Sequence, residues 1–171
     1  MPPSSRTLDI LVAAVVIGVG ATLAIDLYGV ILKRGWGLAS LSYCHLGRWF
    51  LHMPTGRFAH SSIAAASPKP GECQVGWVAH YSIGISLTLA FLLLASPTWL
   101  AHPTLLPALA FGIITVLIPF FVVQPALGLG LASARSHKPT VARLKSLGTH
   151  ASFGFGIYLT GCLRAWWYVS H

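Results

Sequence analysis

The chain has 171 residues, of which 55% are apolar and 8% charged, and its mean hydropathy is +0.73. This composition is typical of a membrane protein and excludes an ordinary soluble domain. A helical crossing of a hydrocarbon layer about 30 Å thick needs roughly 20 residues, so the length allows about four crossings. The net charge of +8 does not predict nucleic-acid binding, because the basic residues are divided between loops that flank apolar runs.

Four apolar segments cover about residues 9–32, 75–96, 104–124 and 147–168. They predict one all-α domain over residues 1–171, with four transmembrane helices arranged as two hairpins. The first segment is longer than the apolar part of a signal peptide, so we interpret it as an uncleaved span. Pro119 predicts a kink in the third segment.

The loop after the first segment contains a short amphipathic pattern at about residues 41–53. Leu46, Trp49 and Phe50 recur at helical spacing, with His45, Arg48 and His52 on the other side. This pattern predicts a helix that lies on the cytoplasmic membrane surface.

The three cysteines are Cys44, Cys73 and Cys162. They are widely spaced, odd in number and form no CxxC pair, so the sequence predicts reduced thiols rather than a disulfide framework.

Lys and Arg residues are distributed unequally between the two sides of the predicted bundle. The loops 33–74 and 125–146 contain nine of them: Lys33, Arg34, Arg48, Arg57, Lys69, Arg135, Lys138, Arg143 and Lys145. The opposite side has Arg6 and Arg164. Short loops rich in basic residues remain in the cytoplasm. We therefore expect a multi-pass protein of the bacterial inner membrane, with both termini outside and both basic loops in the cytoplasm.

Small residues recur every four positions on the predicted helices, which favours close helix packing. The predicted packing positions are Ala14, Gly18, Thr22, Gly76, Gly84 and Gly154. The pattern H-x-S-x-G also occurs twice, from His80 to Gly84 and from His150 to Gly154. It suggests two related hairpins.

Three ionisable residues lie at similar predicted depths in three different helices. Asp26, His80 and His150 are roughly 10, 12 and 8 Å from the nearest charged landmark, at about 1.5 Å per helical residue. Because ionisable groups are costly in hydrocarbon, we expect them to meet in one polar site, with Tyr81 and Glu72 at its edge.

Two histidines and one carboxylate match a metal-binding set, so zinc, iron, manganese or copper is a candidate cofactor. His45, His52 and His60 are weaker candidate ligands, and no HExxH motif is present. The alternative interpretation is that these groups only join helices by hydrogen bonds. The basic loop residues are interpreted as headgroup and topology residues, although Arg48 and Arg57 could also hold an anionic substrate.

Several motifs together resemble a bacterial family of small inner-membrane proteins of unknown function. The motifs are Gly18-x-Gly20-Ala21-Thr22 with Asp26, Gly47-Arg48-Trp49, Gly76-Trp77-x-x-His80-Tyr81 and Leu147-x-x-His150. The resemblance covers nearly the whole chain and implies a four-helix protein of the inner membrane. It implies no reaction, substrate or cofactor.

The sequence leaves three functions open. The first is a membrane enzyme, metal-dependent or not, that acts on a lipid or another apolar substrate at the Asp26, His80 and His150 site. The second is a small transporter or a protein that handles ions or protons. The third is an accessory subunit of a larger membrane complex. Expected partners are membrane lipids and either a second copy or a larger complex, without nucleic acid.

Overall fold

The computed structural model of the protein describes residues 3–39 and 41–170, and their side chains from Thr7 onward, so the side chain of Arg6 lies outside this description. The described residues confirm the all-α class, since they form helices and loops without strands. The helices are α1 (Pro3–Trp36), α2 (Tyr43–His52), α3 (Glu72–Leu94), α4 (Leu105–Ile114), α5 (Gln124–Ala126) and α6 (Pro139–Ser170).

Three described helical segments are long and apolar enough to cross a bilayer: Thr7–Trp36, Glu72–Leu94 and Leu105–Ala126. They coincide with the first three predicted spans. The fourth predicted span, 147–168, lies within α6, which has 32 residues. Glycines and polar residues such as Thr149 and His150 make this helix less apolar than the other three.

The long helices that contact each other pack antiparallel. α1 contacts both α3 and α6, and α6 also contacts α4. These contacts enclose a core in which small and aliphatic side chains pack with three aromatic rings: Ala13, Ala14, Ile17, Ala21, Phe91, Leu92, Trp99, Ala108, Phe153 and Ile157. Removal of such side chains from solvent or lipid lets dispersion contacts accumulate across the whole length of the bundle.

Small residues allow the helix backbones to approach closely. A methyl group at Gly18 would lie 2.7 Å from the Ile85 Cα atom, and one at Gly154 would lie 2.6 Å from the Ala108 carbonyl oxygen. A methyl group at Gly84 would overlap the hydroxyl of Thr22, which is fully buried. The α1–α3 and α4–α6 contacts therefore depend on residues that carry little or no side chain.

The third span changes its helical form at Pro119. α4 ends at Ile114, a π-helical turn covers Pro119–Val123, and α5 continues to Ala126. Proline lacks a backbone donor and commonly interrupts an α-helix in this way, and π-helical turns are frequent at functional sites. The interruption lies at the residue where the sequence predicts a kink.

α2 forms within the predicted segment 41–53, but the predicted orientation of its polar face is wrong for two residues. Arg48 and His52 are only 8% and 3% exposed. One side of α2 packs across the start of α3, where a methyl group at Gly47 would overlap the Glu72 carbonyl. The loop after α2 covers the other side, so α2 is a buried crossing helix rather than one with a solvated polar face.

The close crossing of α2 and α3 also joins two cysteines. Cys44 and Cys73 form a disulfide, with Cα atoms 3.9 Å apart, whereas Cys162 is free. The prediction of reduced thiols is therefore wrong for the first two. Their proximity results from the contact at Gly47 and Gly76, which the 29-residue separation in sequence does not indicate.

Candidate functional site

The carboxylate of Asp26 is the meeting point of three helices. Tyr43 donates a 2.9 Å hydrogen bond to Oδ1, and Tyr81 donates one of 2.9 Å to Oδ2. The Nε2 atom of His80 lies 3.1 Å from Oδ1. Asp26 lies on α1, Tyr43 begins α2, and His80 and Tyr81 lie on α3, so one carboxylate fixes the relative positions of these helices.

The bond between Asp26 and His80 determines which imidazole nitrogen is basic. An ionised carboxylate only accepts hydrogen bonds, so Nε2 of His80 carries the donated hydrogen. In the neutral ring Nδ1 is then the acceptor and the site of proton uptake. The side chains of His80 and Asp26 are 12% and 21% exposed, which limits competition from water.

Tyr43 holds the other side of the His80 ring. The two rings stack with centroids 4.1 Å apart and an angle of 23° between their planes. Burial, followed by the neighbouring Asp26 carboxylate, raises the pKa of Tyr43 far above its usual value. Tyr43 therefore remains a hydrogen-bond donor throughout the physiological pH range.

His150 lies outside this hydrogen-bond cluster. Its Nδ1 atom is 2.8 Å from the hydroxyl of Thr115, which in turn donates to the Gly112 carbonyl at 2.6 Å. Because the hydroxyl hydrogen is used in that bond, Nδ1 of His150 is the donor and Nε2 is the acceptor. The structure thus brings Asp26, His80 and Tyr81 into contact and anchors His150 on α4.

Glu72 belongs to a separate ion pair with Arg48. Two nitrogens of the guanidinium reach the two carboxylate oxygens at 2.7 and 2.8 Å. The third nitrogen of Arg48 donates to the carbonyls of Ile63, Ala64 and Ala66. Bonding to Glu72 raises the pKa of Arg48. Because all three of its guanidinium nitrogens donate hydrogen bonds, Arg48 joins the covering loop to α2 and α3.

The predicted set of two histidines and one carboxylate does not form a single coordination group. In the part of the chain that the structure describes, no three His, Cys, Asp or Glu side chains are grouped so as to hold a metal ion. The reason is the bond between His150 and Thr115, which directs this imidazole to α4. Of the weaker candidates, His52 contacts the Ser67 carbonyl at 3.1 Å, and its ring lies against that of His60.

His80 and His150 both line a cavity of about 610 Å³. Its wall is mostly apolar and is contributed by α1, α2, α3, the π-helical turn and α6. Polar side chains interrupt this wall, among them His45, Gln124, Ser133, Lys145 and Ser146. A mostly apolar cavity of this size with a few convergent polar groups is typical of a small-molecule site.

Sequence reasoning did not identify two contributors to the site. Tyr43 begins α2, and only the crossing of α2 over α3 places it on Asp26. Lys145 was interpreted as a topology residue, yet it lines the cavity and donates to the Ala39 carbonyl. The available signal is that Lys145 directly precedes Ser146, which shares one face of α6 with His150 and Gly154 because the three are spaced by four residues.

In each H-x-S-x-G pattern the histidine and the glycine both contact a neighbouring helical segment, although the two histidines bond different groups through different ring nitrogens. His80 bonds a polar side chain of the neighbouring α1, and Gly84 packs closely on that same helix. His150 bonds Thr115 in the span that begins with α4, and Gly154 packs on α4 itself.

Comparison with known proteins places these features in a family. No curated protein and no solved structure matches the chain. A family model described as a protein of unknown function, DUF2938, matches residues 15–164, which include Asp26, His80, His150 and the residues that line the cavity. The chain therefore belongs to the DUF2938 family.

Proposed function

We propose that this protein is an integral membrane protein that admits a lipid-like amphiphile into the cavity and acts on it through His80. The observation that carries the proposal is the 610 Å³ cavity with a carboxylate-backed imidazole in its wall. Its apolar lining would solvate a hydrocarbon chain, and its polar side chains would fix the orientation of a headgroup.

Asp26 and His80 supply the chemistry in this proposal. The carboxylate orients the imidazole through Nε2 and stabilises the imidazolium that forms when Nδ1 accepts a proton. His80 would thus act as a general base toward a hydroxyl or water held in the cavity. This role depends only on the contact between Asp26 and His80 and does not require His150 of α6.

We further propose that α6 is a fourth span. It contacts α1 near both ends and in the middle: Gly148 packs on Tyr28, Gly156 on Ala21, and Arg164 on Asp9. A helix that follows a spanning helix over this length would cross the same hydrocarbon layer. The basic loops would then face the cytoplasm of a bacterial cell, with both termini on the outer side of the inner membrane.

A cavity-filling variant tests amphiphile binding. Ala142 lines the cavity, so Ala142→Trp would occupy the space that a chain needs. We expect this variant to lose labelling by a photoreactive fatty acid, while the purified wild type is labelled at cavity residues identified by mass spectrometry. Ala134→Trp is the matched control, because Ala134 is exposed and does not line the cavity.

The role of His80 is tested separately. His80→Asn keeps a hydrogen-bonding group beside Asp26 but removes the base. We expect this variant to bind the photoreactive lipid as the wild type does and to lose any conversion of lipid extract detected by mass spectrometry. Unlabelled wild-type cavity residues would refute the binding proposal, and retained conversion by His80→Asn would refute the chemical role.

A further inference from the structure

Lys145 is positively charged, and every carboxylate side chain in the sequence is bonded to another residue. Only three acidic residues are present: Asp9, Asp26 and Glu72. Asp9 bonds Arg164, Asp26 bonds His80 and two tyrosines, and Glu72 bonds Arg48. The contact described for the Lys145 ammonium is the carbonyl of Ala39. The negative charge that would balance Lys145 must therefore come from outside these side chains.

Gln124 supplies a second, independent observation in the same cavity. This residue is only 6% exposed, and its amide nitrogen donates to the Ser146 hydroxyl at 3.1 Å. Its amide oxygen is buried without a hydrogen-bond partner. Buried polar atoms are normally paired, so this oxygen is an acceptor whose hydrogen bond is not made within the described part of the chain.

The chain brings these groups to one part of the cavity. Ser146 follows Lys145 on α6, and Gln124 comes directly after the π-helical turn and bonds Ser146. Since its oxygen accepts the bond from Gln124, the Ser146 hydroxyl still has a hydrogen to donate. All three residues line the cavity, and they carry an ammonium group, a hydroxyl donor and an unpaired carbonyl acceptor, the last of which would turn toward the cavity to reach a ligand.

We infer that Lys145, Ser146 and Gln124 bind the headgroup of a single-chain amphiphile in which an anionic group lies beside a hydroxyl. This inference rests on the proposed function and specifies its ligand class. The anionic oxygens pair with Lys145 and Ser146, and the ligand hydroxyl donates to Gln124. An anion without a hydroxyl would leave the Gln124 oxygen unpaired, whereas a neutral head would leave Lys145 unbalanced. The cavity volume falls within the range of sites for small ligands.

Three lipids with the same oleoyl chain separate these contributions. Lysophosphatidic acid has a phosphate and a hydroxyl, monooleoylglycerol has hydroxyls without charge, and oleate has charge without a hydroxyl. Each competes with photoreactive lysophosphatidic acid for the detergent-purified full chain. We expect lysophosphatidic acid to compete about tenfold better than either of the others, as one charge-assisted contact allows.

Two variants assign this preference to residues. Lys145→Gln should reduce lysophosphatidic acid binding about tenfold and leave monooleoylglycerol unchanged. Gln124→Leu should weaken lysophosphatidic acid and monooleoylglycerol and leave oleate unchanged. Unchanged binding of one lipid in each variant also reports that the variant is folded. Lys138→Gln is the matched control, because Lys138 is exposed and lies outside the cavity.

The outcomes distinguish the two proposals. Equal binding of the three lipids, or an unchanged preference in Lys145→Gln, would overturn the headgroup assignment and leave the amphiphile cavity in place. Failure of all three lipids to bind would instead overturn the proposed function. Displacement by millimolar inorganic phosphate would identify a free-phosphate site and overturn the requirement for a hydrocarbon chain.

Discussion

Asp26 accepts hydrogen bonds from Tyr43, His80 and Tyr81, so the free energy of each bond depends on the other two. This arrangement explains why an ionisable residue is tolerated in the first span. Every oxygen of the carboxylate is paired with a donor from another helix, and none has to face lipid. A single residue therefore has both a packing role and, in our proposal, a chemical one.

Tyr81→Phe separates the packing role from the rest of the site. The variant removes one donor to Asp26 without changing the ring, and we expect a loss of about 0.5–1.5 kcal/mol, or up to twice that for a bond to a charged group. Thermal unfolding in mild detergent measures the change. Tyr168→Phe, at an exposed tyrosine, is the control and should be neutral. Equal stability of both variants would mean that the bond from Tyr81 contributes nothing.

The buried imidazole of His60 should make the stability of the protein depend on pH. Both of its ring nitrogens are buried without a partner, and burial, followed by the neighbouring His52, lowers the pKa of His60. The unfolded chain, with a histidine pKa of about 6.5, then binds the proton more readily than the folded chain. Stability from this residue is complete above that pH and decreases as the pH falls from about 6.5 toward the folded pKa.

His60→Phe removes this titration while keeping a ring of similar size. Between about pH 7.5 and pH 5.5, we expect the wild type to lose more thermal stability than this variant. His102→Phe, at an exposed position, should retain the dependence of the wild type. Parallel pH profiles for the wild type and His60→Phe would show that protonation of His60 is not linked to unfolding.

At the scale of elements, Arg48 connects α2, α3 and the loop through residues 63–66. Its side chain is 10% exposed and that of Glu72 is 14% exposed, so removing one partner leaves a largely buried charge. We expect Arg48→Met to lower the thermal unfolding temperature and to increase protease cleavage of the loop, because Glu72 loses its partner and the loop carbonyls lose their donor. Arg57→Met, at an exposed arginine, is the control.

The double variant Arg48→Met, Glu72→Met completes the test of this pair. Because it removes both charges, it should recover part of the stability that Arg48→Met loses. Additive losses in the double variant would show that the two charges do not interact across the α2–α3 contact.

The long helices could be predicted from sequence because the length of an apolar segment and the spacing of residues along it are local properties. The common depth of Asp26 and His80 was also sufficient to pair them, since both lie on regular helices with 1.5 Å per residue. The contacts of Tyr43, Arg48 and Cys44 could not be found in this way. They depend on how α2 crosses α3, and that crossing is determined by Gly47 and Gly76, which are far apart in sequence.

At the scale of the whole molecule, orientation in the membrane can be tested with reporters. The nine-to-two distribution of Lys and Arg predicts that fusions after Ala66 and after Lys138 report a cytoplasmic location. A periplasmic signal at either position would reverse the proposed orientation. Fusions after Ser170 should report the opposite side.

The same orientation has a redox consequence for Cys44 and Cys73. Disulfides are rare in the cytoplasm, where cellular reductants keep thiols reduced. The disulfide in the structure and the proposed cytoplasmic location therefore make opposite predictions for growing cells. A cytoplasmic loop requires both cysteines to be alkylated when cells are quenched in acid and treated with a thiol reagent, with the disulfide forming only after purification. A disulfide already present in freshly quenched cells would place this loop in the periplasm instead.

The covalent link between α2 and α3 also encloses an exposed stretch of chain around Arg57. Trypsin that cuts after this arginine would divide oxidised protein into two pieces without releasing either of them. On a denaturing gel the nicked chain would migrate as one species until reductant is added, and then as two fragments. The cut molecule would thus keep its two parts together by a bond that does not depend on folding.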